Sequence, residues 1–300
     1  MKINILLFIT LLCSMNFAFA QKKAQKSVKS AEETAIDSLN NSFTFQQGKV
    51  ELPEGNISLN IPKGFRFLDK KQAEKVLFDV YGNPRSEGAT RGLIFPEDHG
   101  VGDEGGFFFN VSYEAMGFVK DTDADKIDYA ELLTKMKENG KEENESRKKE
   151  GYPEIDLVGW ANPPFYDKEH KVLHWAKELR FGKSEENTLN YDVRVLGRKG
   201  VVSLNAVAGM AELELVKANI GSVLNIVQYK EGSRYADFNP GIDQVAAVTI
   251  GGLIAGKLLA KAGFFVIILK FIKPILLAFG GGGAALWRWI TGKKKDEEQA

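Results

Sequence analysis

The sequence predicts an α+β domain, a mainly antiparallel sheet covered by helices, set between an N-terminal signal peptide and a C-terminal transmembrane helix or helical hairpin. Three observations carry this. Short alternating or apolar runs recur between tight turns, and strands joined that way pair antiparallel. Helical apolar stripes stand before and after those runs. The two ends of the 300-residue chain carry apolar stretches that its middle lacks.

At the N-terminus, Lys2 supplies a positive charge, residues 3–12 an apolar run, and Ala18-Phe19-Ala20 the small-x-small pattern of signal peptidase sites. The predicted signal peptide is therefore 1–20. Cys13 follows Leu12 rather than a small residue, which argues against lipidation. It is the sole cysteine, so the cleaved chain would hold no disulfide and no thiol nucleophile. Residues 21–42 are polar and read as a flexible leader, with a short helix possible near Ala31 to Leu39.

The soluble extracytoplasmic domain is expected over 43–238. Val50 and Leu52, the turn residues Pro53-Glu54-Gly55-Asn56, then Ile57, Leu59 and Ile61 predict a hairpin. Asp69 with Gln72 three residues on predicts a capped helix whose stripe is Ala73, Val76, Leu77 and Val80. Strands are predicted at 92–95 and 107–113, and a long charged helix at 129–149. A strand at 155–160 precedes a loop marked by Pro163-Pro164. Three strong strands follow at 171–181, 189–196 and 201–207, the last two joined by a tight turn at 197–200. A helix over 211–227 faces inward with Leu213, Val216, Ile220, Val223 and Leu224.

After a linker at 239–244, residues 245–290 contain two apolar blocks, 245–264 and 266–290, and a charged tail fills 291–300. Each block is long enough to cross about 30 Å of hydrocarbon. A hairpin turning near Gly263 would gather Lys257, Lys261, Lys270 and Lys273 at one interface. A single span with Arg288 and Lys293 to Lys295 as a basic stop is the competing arrangement.

The charge balance, 40 basic against 40 acidic residues, gives no electrostatic case for nucleic acid. His170 and His174 would stand roughly 13 Å apart on a strand, too far to share a zinc ion. Asp121, Asp123, Asp125 and Asp128 suggest calcium, but the sixth and twelfth loop positions are Lys126 and Leu132, where an EF-hand needs Gly and Glu. Acidic residues ahead of a helix also answer its macrodipole. No metal, cofactor or catalytic residue is therefore assigned. There is no nucleophile elbow, no Walker motif and no dinucleotide fingerprint.

One polar cluster stands out. His174, Glu178 and Arg180 share a parity on one strand, and Asn190, Asp192 and Arg194 on the next. In matching register they would line one sheet face, opposite Trp175, Leu179, Tyr191 and Val193. That face is the candidate ligand- or partner-binding patch; the alternative is a wet sheet face with cross-strand ion pairs.

Several blocks carry a resemblance: 61–68, 156–160, 174–181, 188–191, 194–198, 204–210 and Arg234-Tyr235-Ala236-Asp237-Phe238. Over about Gly48 to Gly263 the chain resembles a bacterial family of membrane-anchored proteins known as domain of unknown function 2167. The resemblance implies the same layout and brings no activity or ligand. The expected protein is a non-enzymatic binding or interaction domain at the bacterial inner membrane, extracytoplasmic (periplasmic), whose partners are the lipid bilayer and an envelope protein. The alternative is a membrane-anchored hydrolase or small-ligand binder using the face around His174 and Asp192.

Overall fold

The computed structural model describes residues 30–256 apart from 84, 87, 104 and 150. The predicted signal peptide and the apolar sequence beyond Gly256 lie outside the described residues. Among the described residues, no helix is long and apolar enough to cross a membrane.

The architecture is mixed α/β, with mainly antiparallel sheets and few helices. The first helix, α1 (Ala31–Asn40), has a complete capping box between Ser30 and Glu33. It is not a loose leader, because Leu39 and Phe43 are buried. Asn40 donates to Asp103 (2.7 Å) and accepts from the Gly102 amide (2.9 Å), which ties the helix end to the glycine-rich loop.

The predicted hairpin forms as β1 (Gly48–Leu52) and β2 (Ile57–Ile61), paired Leu52↔Ile57 through Gly48↔Ile61. Gly55 and Asn56 both take left-handed φ, +77° and +54°, as a tight hairpin turn requires. β3 (Phe65–Asp69), too short to announce itself, follows directly. Asp69 then caps α2 (Lys70–Glu74), accepting from the Gln72 amide at 3.0 Å. The Gln72 side chain does not close a capping box; it clamps both backbone groups of Thr44 instead. The helix widens into a π-helical turn over Lys75–Val80, and Ala73, Val76, Leu77 and Val80 are buried as the stripe predicts.

β4 (Gly92–Pro96), β5 (Phe108–Glu114) and the three-residue β6 (Phe118–Lys120) lead to α3 (Tyr129–Lys149). β7 (Ile155–Asp167) runs through the predicted Pro163-Pro164 loop. It is an edge strand, so two missing N–H donors remove no bond from a central ladder. β8 (Val172–Phe181), β9 (Thr188–Leu196), β10 (Val201–Gly209), α4 (Leu213–Leu224) and β11 (Val227–Tyr229) complete the region read as the domain.

The main sheet has seven strands in the order β3-β4-β5-β10-β9-β8-β7, and a second sheet has the order β1-β2-β11. The second sheet and α4 cover one face of the first. Ile57, Leu59, Val216 and Val223 meet Phe109, Tyr191, Val193 and Leu204 there. The other face carries two separate apolar clusters. At the β3–β4 end, Leu68, Leu93 and Phe95 pack under α2 and its π turn. At the β8 end, Leu173 and Trp175 pack under the C-terminal segment.

That segment corrects the predicted membrane boundary at Val245. β12 (Val245–Thr249) pairs parallel with β6, and α5 (Ile250–Ala255) buries Ile250, Leu253 and Ile254. Asp123 accepts from the amides of Ile250 (3.2 Å) and Gly251 (3.0 Å). The Arg234-Tyr235-Ala236-Asp237-Phe238 block braces the other side: Phe118 stacks on Phe238 at 3.8 Å and Tyr235 donates to the Val119 carbonyl. Gly117 must be glycine here, since its φ is +93° and a Cβ would stand 2.7 Å from the Gln244 carbonyl.

Candidate functional site

The six predicted site residues do not share a face. Register pairs His174 with Val193, Trp175 with Asp192 and Glu178 with Leu189. Even-numbered residues of β8 therefore lie beside odd-numbered residues of β9. A one-residue offset moves a whole strand's side chains to the other face, and it separates the two triplets.

His174, Glu178 and Arg180 stand on the face shared with Tyr191 and Val193. They do not converge. His174 Nδ1 lies 3.0 Å from the Tyr191 hydroxyl, Arg180 pairs with Asp156 at 2.9 Å, and Asn187 donates to Glu178 at 2.5 Å. Burial holds the His174 imidazole below its usual pKa, against the weaker pull of Asp167, so it is neutral at pH 7. Burial pushes the Tyr191 hydroxyl up to about 12. This is an edge-of-core arrangement.

Asn190, Asp192 and Arg194 lie on the opposite face, between the two apolar clusters. Register extends them into a row across four strands: Asn110 on β5 faces Asn205 on β10, Asn205 faces Asp192, and Asp192 faces Trp175. Lys177 stands opposite Asn190, and Ser203 opposite Arg194. Asp192 is 1% exposed and Asn190 2%. Asp192 Oδ1 accepts from Asn205 (3.0 Å) and Arg194 (3.1 Å), and Lys177 Nζ is 3.5 Å from Oδ2. Arg194 also donates to Ser203, and its guanidinium lies 5.8 Å from the Trp175 ring centroid.

The row is buried. Lys177 and Arg194 keep 14% and 17% of their side chains exposed, and Ser112 and Val207 on the same face are half-buried. Five side-chain atoms in it are buried without a hydrogen-bond partner: Asn110 Oδ1, Asn190 Oδ1, Asp192 Oδ2, Arg194 Nε and Trp175 Nε1. An orphaned buried group costs about 1–3 kcal/mol, and native proteins carry few. Their concentration in one buried polar row marks it as the candidate site. Lys177, Asn205, Asn110 and Trp175 escaped the sequence reading because their membership depends on register. The signal present was a polar residue, Asn205, inside an apolar strand.

The acidic run 121–128 resolves into separate jobs. Asp121 accepts from Lys171 (2.9 Å) and Tyr166 (2.8 Å), Asp123 holds α5, Asp125 pairs with Lys168, and Asp128 caps α3 through the amides of Ala130 and Glu131. Burial acts to raise the Asp121 pKa, but the Lys171 and Tyr166 hydrogen bonds outweigh it and hold the carboxyl below its usual range. Among the described residues, no group of His, Cys, Asp or Glu side chains is placed to hold a metal ion.

Comparison with known proteins finds no curated protein that matches. Among solved structures, the chain is similar to cyanobacterial PsbP (CyanoP) from Synechocystis sp. PCC 6803. That match has 10% identity and a TM-score of 0.35, covering 69% of this chain and 98% of the other. It is similar to LpqN of Mycobacterium tuberculosis, described as involved in cell envelope biogenesis, at 13% identity and TM-score 0.30, covering 64% and 95%. It is also similar to the Saccharomyces cerevisiae Ran-binding protein Mog1p, at 7% identity and TM-score 0.29, covering 62% and 96%. At these scores none of the three carries an argument about this chain. The family described as Protein of unknown function (DUF2167) matches residues 44–281, and the chain belongs to that family.

Proposed function

We propose that this chain is an exported binding module, tethered at the bacterial inner membrane with its domain outside the cytoplasm, where it engages an envelope partner. The signal-peptide pattern at 1–20 and the apolar sequence after Gly256 support export and tethering. The observation that carries the reading is the seating of β12 and α5 on the core. Only residues 256–265 separate the packed helix from the apolar block 266–290, a short connection that suits a domain held close to a bilayer rather than one on a long flexible stalk.

The same seating favours a single span. With 245–255 folded into the domain and Gly256 capping the helix end, the first apolar block keeps only 257–264. Eight residues rise about 12 Å, against about 30 Å of hydrocarbon. The block 266–290 is long enough by itself, and Lys293 to Lys295 then follow it as a cytoplasmic stop.

Cysteine labelling tests this. In a Cys13→Ser background, a lone cysteine at the exposed position Lys63→Cys is expected to react with a membrane-impermeant maleimide on intact spheroplasts. The membrane-bound product is expected to lack residues 1–20. Labelling only after lysis, or a cytosolic chain that keeps Met1, would refute the reading.

A further inference from the structure

We propose, building on the tethered-module reading, that the loop 239–244 is a second contact with the membrane, its Ile242 side chain entering the interfacial layer of the bilayer that anchors the chain. Among the described residues, Ile242 is the most exposed large apolar side chain, at 75%, and Val245 close behind it is 40% exposed. Single exposed apolar residues are ordinary. This pair differs in being rigidly held and in standing just ahead of the apolar sequence. The Asn239 carbonyl accepts from the amides of Ile242 (3.1 Å) and Asp243 (2.9 Å), and the Asn239 side chain accepts from the Gly241 amide (2.9 Å). The Asp243 carboxylate accepts from the Asn239 amide and from Arg198 Nε, both at 2.7 Å, which ties the loop to the β9–β10 turn. The Gln244 carbonyl accepts from the Phe118 amide (2.8 Å). The loop backbone is thus ordered before any contact forms, so seating Ile242 in another medium costs little further conformational entropy.

The occupant follows from where the chain goes next. Laid end to end, the stretch from Ile242 through β12 and α5 to Gly256 spans about 35 Å. The true separation is smaller, because α5 shares its apolar cluster with Leu196 and Val201, which flank the turn that holds the loop. Residues 256–265 then give up to about 33 Å of reach before the apolar block 266–290. The bilayer that receives that block is therefore within reach of the loop tip. The surroundings suit a headgroup layer. Lys199 lies in the β9–β10 turn, Arg234 bridges to Gly197, and Lys120 pairs with Thr249. All three are exposed, against exposed Glu114 and Glu231, which leaves the rim basic. Long basic side chains around an apolar tip reach lipid phosphates while the tip enters the acyl boundary. A span and a loop together fix how the domain faces the membrane, which a single tether does not.

The test uses the full mature chain in nanodiscs of phosphatidylethanolamine and phosphatidylglycerol. With Cys13 gone, that chain holds no cysteine, so a nitroxide spin label can be placed at Ile242→Cys, Val245→Cys or Lys63→Cys. Lys63 is the aqueous reference: it follows the Ile61 end of β2, whereas Asn56 at the other end bonds Ser233 near the loop (3.2 Å). Power saturation compares collisions with oxygen, which concentrates in lipid, and with a polar nickel chelate, which stays in water. Oxygen is expected to win at residue 242, less strongly at 245, and the chelate at 63. The 245 label reads the same contact with Ile242 intact, should the 242 label itself disturb the loop. The chelate winning at both 242 and 245 would overturn the proposal. So would exclusion of both agents, which would mean that protein covers the loop, or an oxygen preference at 63 as well. A chain that enters the nanodisc with an aqueous loop removes this contact alone; a chain that fails to enter removes the tethered module.

Discussion

Asp192→Ala is expected to destabilise the domain by about 3–5 kcal/mol, the usual cost of removing one partner from a buried ion pair. The carboxylate sits between Arg194 and Lys177, accepts from Asn205, and is 1% exposed. Its loss takes a buried carboxylate from two cations whose side chains are only 14% and 17% exposed. Removing the charge from the other side should recover part of the loss, so Asp192→Leu combined with Arg194→Met is expected to be more stable than Asp192→Ala. Urea denaturation of the three proteins checks this. A loss below about 1 kcal/mol for Asp192→Ala would mean that the pair is hydrated and worth no more than a surface one.

The second large effect is expected at the C-terminal boundary. A chain ending at Gly256 should fold, and one ending at Gln244 should lose about 4.5–9 kcal/mol, because Ile250, Leu253 and Ile254 each contribute about 1.5–3 kcal/mol of burial. The shorter chain also uncovers Leu173 and Trp175, which the three residues cover, and removes the partner of β6. Thermal unfolding of the two truncations separates the possibilities. Equal stabilities would place Val245–Thr249 outside the folded unit and return the membrane boundary to Val245.

Much of the fold was legible because its determinants are local. The β1–β2 hairpin is written in Pro53-Glu54-Gly55-Asn56, the α2 start in Asp69, and β8 to β10 in their apolar runs. What escaped depends on distant partners. β12 reads as the start of a membrane span because Val245–Thr249 is apolar and runs on into more apolar sequence, while its partner β6 lies more than a hundred residues earlier. β7 looks broken at Pro163-Pro164 because a sequence does not reveal which strand will stand at a sheet edge.

The site was half legible for the same kind of reason. The right strands and three of the right residues, Asn190, Asp192 and Arg194, were found by parity. Their alignment with His174, Glu178 and Arg180 failed because the loop 182–187 between β8 and β9 is too long to set register. A two-residue turn would have set it; a longer loop leaves both alignments open, and one step between them exchanges the faces.

The candidate site turns on that alignment, and disulfide trapping reads it directly. In a Cys13→Ser background, Leu179→Cys with Thr188→Cys should oxidise readily to an intramolecular bridge, since the two residues face each other across β8 and β9 and directly opposed strand positions meet disulfide geometry. Glu178→Cys with Thr188→Cys should stay reduced. The reverse outcome would put His174 and Asp192 on one face and dissolve the buried row.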